Sequence, residues 1–169
     1  MSIVVTTPTG NIGRVVARTL LEAGETPTLI ARNPNAVKDL TDAGARVVKG
    51  SHDDAGLLIE STRNADALFV LTPPDFQATD IRAHYRGFGE AAARAIETNR
   101  IAHVVHLSSV GADLERGTGP VVGLHVNESV LAEAAENLVH LRPGYFMENT
   151  LMQVPNILRE NALFTTFPE

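Results

Sequence analysis

The chain has 169 residues, 44% of them apolar and 20% charged, with a formal charge of −6 and no cysteine. That is enough chain for one domain over residues 1–169 with one sizeable core, and it excludes disulfides, thiolate nucleophiles and zinc–thiolate sites. The spread of acidic residues leaves no basic face for nucleic acid. No apolar run reaches the roughly 18 residues that cross a bilayer, and MSIVVTTPTG lacks the features of a signal peptide, so a cytoplasmic protein with no membrane partner is expected.

The first strand is expected at residues 2–6, with a loop through residue 9. A helix follows over 11–23 and stops at Gly24, a residue suited to the backbone just past a helix. A second strand covers 26–31. Asn33-Pro34 opens a second helix, with Asn33 as N-cap and Pro34 in the first turn, and this helix ends near Gly44. Strand three is 46–49, and a short helix capped by Asp53-Asp54 covers 53–62. Strand four is 67–71 and runs into Pro73-Pro74. A long helix is expected over 79–98, strand five over 103–107, a glycine-rich loop over 111–123, a helix over 126–136 and strand six over 138–141. Residues 147–159 read as a helix interrupted by Pro155.

Short β-branched runs alternating with helical patterns mark βαβ units. Runs such as ALFVL and HVVHL are apolar on both faces, as in a sheet covered on both sides. The expected fold is α/β, a Rossmann-like doubly wound parallel sheet of about six strands in the order 3-2-1-4-5-6. Ligands in such sheets bind beyond the carboxyl ends of the strands, where the order reverses between strands one and four.

The loop at that point reads TPTGNIG, with Thr7 in the first glycine position of a G-x-x-G-x-x-G spacing, followed by Gly10 and Gly13. Gly10 lets the backbone approach a pyrophosphate, and Gly13 lets the helix pack tightly on the strand. The first-turn N–H groups of Asn11 and Ile12, with the helix dipole, suit phosphate. A tight turn without a ligand is the plainer reading. At the end of strand two, NAD-specific domains place an acid on the ribose hydroxyl. This chain has Ala31-Arg32-Asn33-Pro34, so Arg32 can pair with a 2′-phosphate through its planar fork. NADP(H) is expected over NAD(H).

The combination of TPTGNIG at 7–13, ARNP at 31–34, LTPP at 71–74, HLSSVGA at 106–112 and LRPGYFMEN at 141–149 resembles the NmrA-like, NAD(P)H-binding family of atypical short-chain dehydrogenases/reductases. That group includes quinone and azo-dye reductase-like enzymes and a redox-sensing regulator. The resemblance covers essentially the whole chain, but members usually carry about a hundred further residues that help form the substrate pocket. It implies that Thr7, Thr9, Asn11, Ile12 and Arg32 contact the phosphates and adenosine ribose. Ser51 stands where relatives have an acid near the adenine. Leu71, Thr72 and Pro73 flank the cofactor, Ser108 and Ser109 lie near the nicotinamide, and Pro143, Gly144, Tyr145 and Phe146 cover its ring.

The Tyr-x-x-x-Lys pair of most catalytic members of the wider superfamily is absent. Aligning His125 with the tyrosine puts Ser129 at the lysine, whereas a shift by one puts Leu124 and Glu128 there. His125 is the candidate acid, because imidazole suits proton transfer at neutral pH, or else a helix-start residue. Ser109 is the candidate for orienting a carbonyl, or else a strand-end serine. His103 and His106, three apart on a strand, face opposite ways and share no metal, and no metal site is expected. Asp113 and Glu115 lie in the 111–123 loop, which is either a flap or a plain surface loop.

The leading expectation is an NADPH-dependent reductase that transfers hydride to a quinone or other aromatic carbonyl. Two alternatives stay open. One is a non-catalytic NADP(H)-sensing regulator that acts through a protein partner. The other is a non-redox enzyme, or a helper of one, on the same fold. The apolar residues of 147–169 (Leu151, Met152, Val154, Ile157, Leu158, Leu163, Phe164 and Phe167) either cover the core or pack against a second subunit of a homodimer.

Overall fold

The computed structural model describes residues 1–163. Phe164 and Phe167 lie outside them. Six parallel strands form one sheet in the order β3-β2-β1-β4-β5-β6, as the alternation of elements requires. The strands are β1 (Ile3–Val5), β2 (Thr28–Ala31), β3 (Arg46–Lys49), β4 (Ala67–Val70), β5 (His103–Leu107) and β6 (Leu138–Leu141). The central pair is in register Val4 to Leu68 and Val5 to Phe69, and β5 and β6 pair His106 with His140.

Because side chains alternate along a strand, each strand feeds two cores. Val4, Ile30, Leu68, Val70 and Val104 point to one face, covered by α3 (Ala55–Ser61), α4 (Ile81–Asn99) and α5 (Val122–Ala134). Val5, Leu29, Ala31 and Phe69 point to the other, covered by α1 (Asn11–Glu22) and α2 (Lys38–Asp42). His103 is exposed while His106 is fully buried, the opposed directions expected of residues three apart on a strand.

Local chemistry sets most boundaries. Asn33 accepts from the Asn35 N–H at 3.1 Å to start a 3-10 turn, Pro34–Val37, that leads into α2. Asp54, not Asp53, caps α3 through the Leu57 N–H, and Asp80 caps α4 through the Ala83 N–H. Gly24 and Gly44 take the positive φ that ends α1 and α2.

Two expectations need correction. The helix expected over 126–136 begins at Val122, led in by a 3-10 turn at Gly119–Val121. Gly123 reads as a loop residue by propensity, yet it is buried inside α5 because a Cβ there would lie 2.3 Å from the Tyr85 ring. The segment after β6 is a 3-10 stretch, Met147–Gln153, followed by α6 (Val154–Glu160). Pro155 sits in the first turn of α6 and starts that helix instead of interrupting one, since a first-turn residue needs no N–H.

Candidate functional site

Beyond the carboxyl ends of the strands lies a cavity of about 950 Å³, at the upper end of the size usual for small-molecule sites. Thr7, Thr9, Gly10, Asn11, Ile12, Arg32, Ser51, Leu71, Thr72, Pro73, Ser108, Ser109, Pro143, Gly144, Tyr145 and Phe146 all line it. Gly13 and His125 do not.

The inner wall is the β1–α1 loop. Thr7 takes φ +52, the left-handed backbone that a glycine would adopt more cheaply, and its carbonyl accepts the Gly10 N–H at 3.1 Å. Gly13 sits directly beneath, where a Cβ would lie 2.2 Å from that carbonyl oxygen. The first-turn N–H groups at Asn11 and Ile12 have no intrahelical acceptor. Among the described residues the buried Thr7 hydroxyl has no hydrogen-bond partner. Buried hydroxyls are rarely left so, and this one sits in the wall of a cavity. Arg32 is exposed and takes part in no ion pair among the described residues. Arg14, by contrast, is spent on structure: it bonds both carboxylate oxygens of Asp39 at 2.8 Å and holds α1 to α2. These donors fit a bound dinucleotide phosphate chain.

Sequence reasoning missed the groups that hold this wall in place. The Thr6 hydroxyl donates to the Phe69 carbonyl at 3.1 Å and accepts from the Leu71 N–H at 3.0 Å, so it locks β1 to the end of β4. His52 and His84 place their Nε2 atoms 3.0 and 2.9 Å from the carbonyls of Leu71 and Pro73. Both rings pack on Phe88, at 4.6 and 5.1 Å between centroids. Burial pushes His52 down to about 4, against the opposing pull of the Leu71 carbonyl, so it is neutral at physiological pH. The available signal was His84, Tyr85 and Phe88 on one face of a helix, but the pattern cannot tell which strand ends they meet.

The side toward β6 is built differently. Ser108 donates to Glu128 at 2.5 Å, and Arg142 grips the same carboxylate through Nε at 2.9 Å and Nη2 at 2.5 Å. Burial alone would raise the Glu128 carboxyl, but the bonds from Arg142 and Ser108 hold it below its ordinary value. The Asn127 amide donates to the Thr72 hydroxyl at 2.7 Å. On α5 it is Leu124 that reaches the cavity. Nδ1 of His125 lies 2.9 Å from the Ala112 carbonyl. Among the described residues the Ser109 hydroxyl donates only to the Val110 carbonyl, at 3.3 Å. The 111–123 loop is tied down by Arg82, which donates to the Glu115 carbonyl, and it contributes Pro120 and Val121 to the wall. His106 and His140 approach through Nδ1 atoms 3.0 Å apart behind this network. Among the described residues no three metal-ligating side chains cluster, and no helix is long and apolar enough to cross a membrane.

Residues 8–153 match the family model described as NAD(P)H-binding. The chain is 29% identical over 156 residues to (4-alkanoyl-5-oxo-2,5-dihydrofuran-3-yl)methyl phosphate reductase of Streptomyces griseus, covering 92% of this chain and 51% of that one. It is 30% identical over 160 residues to the NmrA-like family domain-containing oxidoreductase ptmS of Penicillium ochrochloron, covering 86% and 47%. The fold matches the NADPH complex of the quinone oxidoreductase QOR2 from Escherichia coli with a TM-score of 0.78 at 21% identity, over 94% of this chain and 54% of that one. The chain therefore spans about half the length of the curated relatives it matches. It belongs to the NAD(P)H-binding family, with an NmrA-like oxidoreductase among its relatives, and it shares the fold of a quinone oxidoreductase.

Proposed function

We propose that this member of the NAD(P)H-binding family binds NADP(H) and reduces a quinone or other aromatic carbonyl acceptor. The observation that carries the reading is the cavity wall, which the Thr7 hydroxyl, without a hydrogen-bond partner among the described residues, shares with Arg32 and with Asn11 and Ile12 of the α1 N-terminus. Bound there, the reduced nicotinamide would supply a hydride, that is, two electrons and a proton together. Thr7, Asn11 and Ile12 would hold the pyrophosphate, and the Arg32 guanidinium would pair with the 2′-phosphate. Thr72, fixed by Asn127, lines the midpoint. Ser109 orients the acceptor oxygen from the end of β5, and Tyr145 and Phe146 exclude water from the ring. With Nδ1 engaged at Ala112, His125 acts through Nε2 and an intervening water. The family resemblance and the quinone-reductase fold neighbour support the acceptor class. The protein works in the cytoplasm as a homodimer, with the apolar surface of 147–163 as the contact.

Calorimetry with both nucleotides tests the cofactor. Arg32→Ala weakens NADPH by about 10- to 100-fold and leaves NADH within about twofold, as expected for a lost charge-assisted pair; an equal loss for both nucleotides overturns the 2′-phosphate contact. NADPH oxidation with a quinone panel tests the reaction. Tight NADPH binding with no turnover favours instead a sensor that acts through a protein partner. That reading draws on Leu124 standing at the cavity, where a catalytic tyrosine is otherwise expected.

A further inference from the structure

Helices α4 and α5 meet through two glycines. On α4, Tyr85 and Gly89 share a face, as Gly123 and Asn127 do on α5. A Cβ at Gly123 would lie 2.3 Å from the Tyr85 ring, and one at Gly89 would lie 2.6 Å from Oδ1 of Asn127. Each glycine thus admits a side chain of the other helix. The Tyr85 ring therefore packs against the same turn of α5 that presents Leu124 to the cavity.

Tyr85 is only 4% exposed, yet it lines the cavity together with Leu124, Ser108 and Ser109. The His84 ring meets it edge-on, 5.5 Å between centroids. Its hydroxyl has no hydrogen-bond partner among the described residues. A buried phenol normally finds one. Neighbouring polar groups are already engaged, Ser108 with Glu128 and Asn127 with Thr72. Burial pushes the Tyr85 hydroxyl above its ordinary value of 10, so it keeps its proton at neutral pH and can only donate.

We infer that the Tyr85 hydroxyl donates a hydrogen bond to the oxygen of a carbonyl ligand in the cavity, so that α4 supplies the phenol that α5, with Leu124, does not. The catalytic consequence rests on the reductase reading. A quinone that accepts a hydride from NADPH gains two electrons and one hydrogen and becomes the hydroquinone monoanion, leaving NADP+. Tyr85 bonds the growing oxyanion and retains its own proton. The monoanion takes one proton from solvent as it leaves, so NADPH, quinone and one proton give NADP+ and hydroquinone. A tyrosine that surrendered its proton would need a cation beside it. The one Lys or Arg residue of the wall among the described residues is Arg32, which follows β2. Donation without transfer therefore suits this wall.

The test compares the full chain with Tyr85→Phe, which keeps the ring against Gly123 and removes only the oxygen, so an unchanged melting temperature is expected. Equilibrium dialysis in the presence of NADP+ reads the binding of menadione and of 2-methylnaphthalene, the same ring skeleton without the carbonyls. Tyr85→Phe is expected to weaken menadione about 5- to 10-fold and to leave 2-methylnaphthalene within about twofold. NADPH affinity also stays within about twofold, because the lost group bonds the carbonyl ligand and not the phosphates. Infrared difference spectra should place the carbonyl stretch of bound menadione lower in the unaltered protein than in the variant. In turnover, kcat falls about 100-fold, more than the affinity does, since the bond strengthens as charge develops. Equal menadione affinity in the two proteins, including no binding to either, or an equal loss for both probes, overturns the inference. A carbonyl stretch in the unaltered protein no lower than in hexane does so as well, without recourse to the variant. Selective loss of menadione binding, with no NADPH oxidation by the unaltered protein, sinks the reductase reading and keeps the Tyr85 contact. Quinone turnover that Tyr85→Phe leaves intact does the reverse.

Discussion

The two ends of the sheet differ in how they are held. Around β1, β2 and β4 the strand residues Val5, Leu29 and Val70 are at most 1% exposed, with helices on both faces. At β6 the burial alternates, and Val139 and Leu141 are 54% and 46% exposed. Beyond β6, Met147, Leu151, Met152 and Leu158 are 69–83% exposed. The β1–α1 loop thus rests on a filled core, with Gly13 packed closely beneath it and Thr6 tying β1 to the end of β4 at its side. The side toward β6, proposed for the acceptor, is walled by loops. A site that reads a constant cofactor gains from rigidity, because the ordering is completed before the ligand arrives. A wall made of loops can vary its acceptor without disturbing that scaffold.

The largest test of this contrast is a pair of glycines. Gly13→Val forces a side chain into the Thr7 carbonyl, and backbone cannot yield as a flexible side chain can. A loss of about 3 kcal/mol is expected, lowering Tm by roughly 6–12 °C and abolishing NADPH binding. Gly144→Val, where nothing lies within 4 Å of an added Cβ, stays within about 0.5 kcal/mol. Similar melting of the two variants would erase the distinction.

A second effect reads the buried histidines. Burial pushes both His52 and His106 from 6.5 down to about 4, with His140 pushing His106 the same way. Between these values the unfolded chain holds more protons than the folded one. The contribution to stability is therefore full above about pH 6.5 and is lost as pH falls toward 4, on the order of 3 kcal/mol for each histidine. Urea titrations from pH 7 to pH 4 check this, and His106→Gln should flatten the slope. A pH-independent midpoint would mean that water reaches these rings.

The smallest effect lies at the outer edge. Leu158, 82% exposed on α6, tolerates Glu within about 0.5 kcal/mol of monomer stability. If the apolar surface is a dimer contact, light scattering shows a shift from dimer to monomer in Leu158→Glu. A monomer in both proteins removes the homodimer, and a large loss of stability would show that this segment belongs to the core.

Much of the fold was legible because its signals are local. Apolar strand runs, the caps at Asn33 and Asp54, and the glycines that stop α1 and α2 act within a few residues. The cofactor loop was legible for the same reason, since TPTGNIG encodes a turn followed by a helix start. His52, His84 and Asn127 were not found, because each matters through a neighbour on another element. The Val122 start of α5 was missed because Gly123 lowers helix propensity, while its actual role is to make room for the Tyr85 ring.

The same glycine marks the boundary between what the sequence determined and what the tertiary structure decided. The sequence determined the order of elements, the parallel sheet and the turn between β1 and α1, all of which follow from periodicity and backbone preference. It left two registers for the helix that faces the acceptor, His125 with Ser129 or Leu124 with Glu128. Neighbouring helix positions differ by about 100° of rotation, and no local preference separates them. Packing separates them. With Gly123 against Tyr85 and Glu128 gripped by Arg142 and Ser108, α5 turns Leu124 to the cavity and His125 to the Ala112 carbonyl.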